Sequence, residues 1–167
     1  MNIAENLKRV KDKIEKAADR TQRGGEEIKL VAVSKGVEAE RVIEAVECGI
    51  NTFGENYAQE FRDKCKIVEE SVGRGIEWHF IGRLQRNKVK YILDKVKLIH
   101  SLDSVKVAQE INKRALKNKG RVSVLIELNS DEDAKGGVRF EMLEDFLTEL
   151  SGLPAVDVRG LMIMPPL

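Results

Sequence analysis

The clearest candidate for a chemically reactive residue is Lys35, which follows a short apolar run at residues 28–34 (IKLVAVS). Strand alternation places Val31, Val33 and Lys35 on one face, so the lysine shares its direction with apolar side chains. A lysine there loses hydration, which disfavours the charged ammonium and leaves the neutral amine that attacks an aldehyde. The alternative is a strand-end lysine that reaches solvent, the usual place for this residue type.

Polar residues also follow the later apolar runs. His79 stands between Trp78 and Phe80, so it is either an acid–base group or a hydrogen-bonded core residue. Neither histidine of the chain has a partner at metal-ligand spacing, so no metal site is expected. The acidic stretch at residues 131–133 is typical of a solvated turn, although it could bind a hard cation. Nucleotide-binding glycine motifs and a Ser-His-Asp pattern are absent from the sequence.

The elements that position these residues alternate along the chain. Asn2 is a candidate cap for an N-terminal amphipathic helix, and Asp103 for a later one. Strands are predicted at residues 28–34, 51–54, 77–81, 96–100, 121–128 and 156–162, and helices at 37–48, 57–72, 84–93, 103–118 and 140–150. This alternation predicts a parallel sheet in one domain, residues 1–167. Six strands by count favour a doubly wound open sheet over an eight-stranded (β/α)₈ barrel, and both remain open on the pattern alone.

Composition limits the function classes. The chain carries 29 basic and 28 acidic side chains, so its net charge of +1 gives no reason to expect nucleic acid or membranes as partners. Cys48 and Cys65 are the only cysteines and have no partner at metal-ligand spacing, and two such lone thiols favour a reducing compartment. No apolar run reaches the length of a membrane span and no signal peptide is evident. A cytoplasmic location is therefore expected.

Six strand-end motifs together resemble the pyridoxal phosphate homeostasis protein family, a group similar to the N-terminal barrel of alanine racemase. They are LVAVSKG (30–36), FGENYAQE (53–60), WHFIGRLQRNK (78–88), IHSLDS (99–104), LIELNSDEDAKGGV (125–138) and RGLMIMPP (159–166). The resemblance implies a (β/α)₈ TIM-type barrel with an extra N-terminal helix, against the strand count. It also implies that pyridoxal 5′-phosphate (PLP) is bound as a Schiff base on Lys35. The further cofactor-binding positions that it implies are Asn56, His79, Gly82, Ser101, Asn129, Lys135, Met162 and Met164.

The sequence departs from the family at its end. Family members continue through strands seven and eight, which carry the cup for the cofactor phosphate, whereas this sequence stops after its sixth strand. A truncated barrel of this kind is expected to bind the cofactor more weakly and to associate through unpaired strand edges, whereas the full-length form is expected to be a monomer.

The resemblance implies a non-catalytic carrier that holds PLP for vitamin B6 homeostasis and passes it to PLP-dependent apo-enzymes. No residue is assigned a catalytic role. A racemase-like enzyme is the alternative, although such an enzyme needs a second acid–base group and usually a second domain. A third interpretation is an α/β protein without a cofactor, in which Lys35 is an ordinary strand-end lysine.

Overall fold

The computed structural model describes residues 2–73, 75–118, 120–129 and 136–164. Its helices are α1 (Ile3–Asp19), α2 (Ala39–Glu47), α3 (Ala58–Val72), α4 (Val105–Lys117) and α5 (Leu143–Ser151). Its strands are β1 (Ala32–Val33), β2 (Thr52–Glu55), β3 (Glu77–Phe80), β4 (Val96–Leu102), β5 (Val122–Glu127) and β6 (Val156–Met162). Short 3₁₀ helices occur at Gly25–Glu27, Arg86–Tyr91 and Phe140–Met142.

The six strands form one parallel sheet in the order β1-β2-β3-β4-β5-β6. Strand order therefore follows chain order, as in a barrel, and does not reverse as it does in a doubly wound sheet. Within the described residues β1 and β6 do not pair with each other, so the barrel is not closed. The predicted α/β barrel-type fold with a leading helix and about six strands is confirmed.

The helices cover one face of the sheet. Sequential parallel strands joined by right-handed crossovers place every connecting helix on the same side. On that side Trp78 packs against Phe53 and Phe61, with ring centroids 5.6 Å apart in both pairs. Val33 and Leu161 point to the other face, called the inner face here, and each remains 51% exposed.

Several predicted element bounds were wrong. Residues 84–93 do not form an α-helix but contain the 3₁₀ helix Arg86–Tyr91. The fully buried Val89 lies in this helix and the fully buried Ile92 directly follows it, three residues later, which is the 3₁₀ spacing. Helix α4 begins after Ser104 rather than Asp103. Asn2 does cap α1, because its side chain accepts a hydrogen bond of 2.9 Å from the Ala4 N–H.

No helix in the described part of the chain is long and apolar enough to cross a membrane.

Candidate functional site

The carboxyl ends of the strands meet at one edge, where parallel α/β proteins place their sites. Lys35 follows β1, whose pairing with β2 continues through a 3.0 Å hydrogen bond from the Ser34 N–H to the Gly54 carbonyl. Ser34 is buried toward the helices and Lys35 is exposed, as strand alternation requires. The expected desolvation of Lys35 is wrong for the described residues, because nothing among them covers the inner face around Val33.

Three of the predicted site residues come together at the ends of β2, β3 and β4. A Cβ atom on Gly82 would lie 2.6 Å from the Cα of Asn56, so only a glycine allows this approach. The Ser101 hydroxyl donates a hydrogen bond to the Gly82 carbonyl. Asn56, Gly82 and Ser101 are thus held in one row along the edge that also carries Lys35.

The two histidines face each other on the inner side of the sheet. His79 Nδ1 lies 2.9 Å from His100 Nε2, so one ring donates and the other accepts. His79 is 4% exposed, and burial, together with a smaller electrostatic effect of His100, lowers its pKa to about 4. Burial also lowers the pKa of His100. The pair is therefore neutral at pH 7, and His79 is a hydrogen-bonded residue of the interior.

The remaining predicted positions lie at the ends of β5 and β6. The Asn129 N–H donates to the Val138 carbonyl over 2.9 Å, so its backbone is fixed while its side chain is half-buried. Met162 is the half-buried last residue of β6, and Met164 is exposed beyond it. Lys135 lies outside the described residues.

A buried ionic cluster directly behind Lys35 was not predicted from the sequence. Lys64 Nζ donates to the Ser34 carbonyl at 2.5 Å, to Glu55 Oε1 at 2.7 Å and to Glu60 Oε1 at 2.7 Å. The Ser34 hydroxyl also donates to Glu55 Oε1 at 2.7 Å. Glu55 is fully buried and Lys64 is 6% exposed. The hydrogen bond from Lys64 holds the pKa of Glu60 below its usual value.

The sequence does contain one signal for this cluster. Glu60 and Lys64 are four residues apart on a predicted helix, which indicates a side-chain pair. Such pairs are usually solvated, and Glu55 ends a strand that gives no indication of a helix partner. The burial of Lys64 therefore could not be inferred from spacing.

The residues at this edge fit the aldehyde-bearing part of PLP. Lys35 offers an exposed primary amine, and among the described residues no side chain forms an ion pair or hydrogen bond with it. The neighbouring strand ends supply amide, hydroxyl and backbone groups suited to a polar ring. No group of three or more His, Cys, Asp or Glu side chains in the described part of the chain could hold a metal ion.

Comparison with known proteins agrees with this geometry. The sequence model of the family described as alanine racemase, N-terminal domain, matches residues 3–166. The pyridoxal phosphate homeostasis protein of Aquifex aeolicus is 47% identical over 167 residues, which cover 99% of this chain and 72% of that protein. Its counterpart in Escherichia coli K12 is 40% identical over 165 residues, covering 98% and 70% of the two chains.

A solved structure of PipY from Synechococcus elongatus, with PLP bound, superposes with a TM-score of 0.80 at 32% identity. The superposition covers 99% of this chain and 71% of PipY. The family match, the two curated relatives and this structure extend over almost the whole chain. The chain therefore belongs to the alanine racemase N-terminal domain family, in the group of the pyridoxal phosphate homeostasis proteins.

Proposed function

We propose that this chain binds PLP covalently at Lys35 and acts as a carrier of the cofactor in vitamin B6 homeostasis. The observation that carries the proposal is the exposed Lys35 amine at the carboxyl end of β1, the strand edge where α/β barrels bind their ligands. The names of the curated relatives and the PLP-bound PipY structure support the same function.

PLP supplies an aldehyde, which condenses with a primary amine with loss of water to give a coloured imine that borohydride reduces to a stable secondary amine. The chain's own residues position that aldehyde. Asn56, Gly82 and Ser101 form the polar row beside Lys35, and Asn129 offers an amide at the end of β5. Met162 and Met164 offer apolar contact for a ring. His79 would contribute as a neutral group, and Lys135 as a second basic group.

A carrier fits the described residues better than a racemase does. A racemase needs a second acid–base group that changes its protonation state near neutral pH. The two histidines hydrogen-bond each other, and burial lowers the pKa of both, so neither gains a proton near pH 7. The curated relatives are named as homeostasis proteins. The recipients of the cofactor would be PLP-dependent apo-enzymes in the cytoplasm, a location suggested by the two free cysteines.

The test is to add PLP to the purified chain, record the visible spectrum, reduce with borohydride and map the modified peptide by mass spectrometry. We expect one major adduct, on Lys35, which Lys35→Ala abolishes. Lys66→Ala removes an exposed lysine of α3 instead and should leave the adduct unchanged. A Lys35→Ala variant that retains the wild-type spectrum and adduct yield would rule out Lys35 as the attachment site.

A further inference from the structure

The buried cluster behind Lys35 holds the backbone on both sides of this residue. Lys64 Nζ donates to the Ser34 carbonyl at 2.5 Å, and that carbonyl belongs to the peptide group before Lys35. Glu60 Oε1 accepts the Gly36 N–H at 2.7 Å, and that N–H belongs to the peptide group after Lys35. Lys64 and Glu60 also bind each other at 2.7 Å. The two peptide groups that flank the Lys35 Cα are thus tied to one ion pair on α3.

The conformation of the turn after Lys35 decides the direction of the Lys35 side chain. Gly36 has a φ of +67°, a left-handed conformation that glycine adopts readily, and an added Cβ would meet nothing within 4 Å. Glycine has access to several other conformations, so local sterics alone do not fix the turn. A backbone hydrogen bond of 3.1 Å from the Val37 N–H to the Ser34 carbonyl closes the turn. The hydrogen bond from Gly36 to Glu60 anchors the closed turn to α3, and with it the direction in which Lys35 leaves the strand.

Burying the charges of this cluster has a large desolvation cost, so the cluster contributes little net stability to the fold. Glu55 is fully buried, and among the described residues its Oε2 atom has no hydrogen-bond donor. Buried ion pairs can often be replaced by apolar residues without loss of stability, because desolvation offsets their attraction. An unsatisfied buried carboxylate oxygen beside a candidate site therefore indicates a local function for the charges.

Lys64 is not itself a second attachment point for an aldehyde. Its Nζ atom has three oxygen acceptors within 2.7 Å and is shielded from solvent. A charged, fully hydrogen-bonded ammonium has no lone pair to attack a carbonyl. Lys35 and Lys64 therefore have different tasks, although they lie on either side of the same peptide group.

We infer that Lys64, Glu55 and Glu60 form a positioning set that fixes the backbone around Lys35, so that its amine meets the PLP aldehyde in one orientation. The inference depends on the proposed function, because it assumes that Lys35 is the attachment site. Glu60 acts through Gly36, and Glu55 acts by neutralising Lys64 and accepting the Ser34 hydroxyl. We assign none of the three a contact with the cofactor.

The most selective variant is Glu60→Ala, which removes the acceptor of the Gly36 N–H and leaves the Lys64–Glu55 pair intact. Glu60 is partly exposed, so the variant should fold. Glu60→Gln restores an oxygen acceptor without the charge, and Glu70→Ala removes an exposed glutamate from the same helix as a control. The double variant Glu55→Gln with Lys64→Met removes both buried charges together and tests the second half of the cluster.

Two rates would be measured at Lys35 in each folded variant: reductive trapping with PLP, and reductive methylation with formaldehyde, which is too small to need orientation. Amide exchange at Gly36 gives a third readout without any aldehyde. Misplacing a reacting group typically costs one to two orders of magnitude, so we expect trapping with PLP to slow about tenfold or more in Glu60→Ala and in the double variant. Amide exchange at Gly36 should accelerate in Glu60→Ala. The reaction of Lys35 with formaldehyde should proceed at the wild-type rate in all variants. The rate of trapping with PLP in Glu60→Gln should be within about threefold of the wild-type rate.

A rate of trapping with PLP equal to the wild-type rate, in both Glu60→Ala and the double variant, would overturn the inference. So would an equal loss of both aldehyde reactions, because that result indicates a general change in access to Lys35. Failure of the proposed function gives a different result, since the wild-type chain itself would then form no PLP adduct at Lys35.

Discussion

At the residue level, the two inner-face histidines link the chain's stability to pH. His79 has a pKa of about 4 in the folded chain, against about 6.5 when unfolded. Between these values the unfolded state binds more protons, so the stabilisation is fully present above pH 6.5 and is lost as pH falls toward 4. We expect the free energy of unfolding to drop by about 1–2 kcal/mol between pH 7 and pH 5. Urea unfolding at both pH values measures this difference.

The control for this prediction is His79→Leu, which removes one of the two histidines of the chain. His100, Glu77 and Lys29 are the charged or titratable groups around the ring, and they remain in the variant. The variant should lose less of its free energy of unfolding between pH 7 and pH 5 than the wild type does, whatever its absolute stability. A loss equal to that of the wild type would mean that other groups cause the pH dependence. Glu127 works in the opposite direction, because burial raises its pKa.

The residues at the site differ in how far they could be predicted. The position of Lys35 at the carboxyl edge of the sheet could be predicted because it follows an apolar strand, and strand ends converge wherever sheets are parallel. The contact between Asn56 and Gly82 needs the relative height of β2 and β3, which no local pattern encodes. The Lys64 cluster was missed because helix spacing describes neighbours on one helix and not what the helix packs against.

At the level of elements, Gly82 determines how closely the ends of β2 and β3 approach. A methyl group there would lie 2.6 Å from the Asn56 Cα, and backbone atoms cannot move aside as a flexible side chain can. We expect Gly82→Ala to lower the free energy of unfolding by about 1–3 kcal/mol, as overpacking generally does. Gly120→Ala is the matched control, because a Cβ there meets nothing within 4 Å. Equal stability of the two variants in urea would contradict the close approach.

Element bounds followed from the sequence where burial and spacing agreed. The strand predicted at residues 156–162 is β6, Val156–Met162, because its apolar residues lie between turn-forming segments. The run at residues 28–34 was predicted as one strand, but only Ala32–Val33 pairs as β1. An apolar run predicts an extended chain, whereas ladder pairing also requires a neighbour at the right distance. The prediction of an α-helix around Val89 was wrong for a different reason. Apolar periods of three and 3.6 residues are hard to distinguish over so few residues.

At the level of the whole molecule, the sheet has two different faces. The face under α2 to α5 contains the aromatic cluster and the buried aliphatic side chains. The inner face carries Lys35, the histidine pair and exposed apolar groups such as Val33 and Leu161. Strand count alone favoured an open doubly wound sheet, but the sequential order of the parallel strands is that of a barrel wall. Polar strand ends and an apolar inner face are both expected of a barrel mouth.

The described sheet has hydrogen-bond partners on one side only at β1 and β6, and β6 is the longer of these edges, with seven residues. Unpaired edges beside apolar side chains promote strand pairing between molecules. We expect this 167-residue chain to self-associate with increasing concentration, and Leu161→Lys to shift it toward monomer by placing a charge on the β6 edge. Leu116→Lys is the matched control, because Leu116 on α4 is 53% exposed and Leu161 is 51% exposed. Sedimentation velocity of both variants distinguishes the causes, since an equal shift would mean that general charge, and not the β6 edge, governs association.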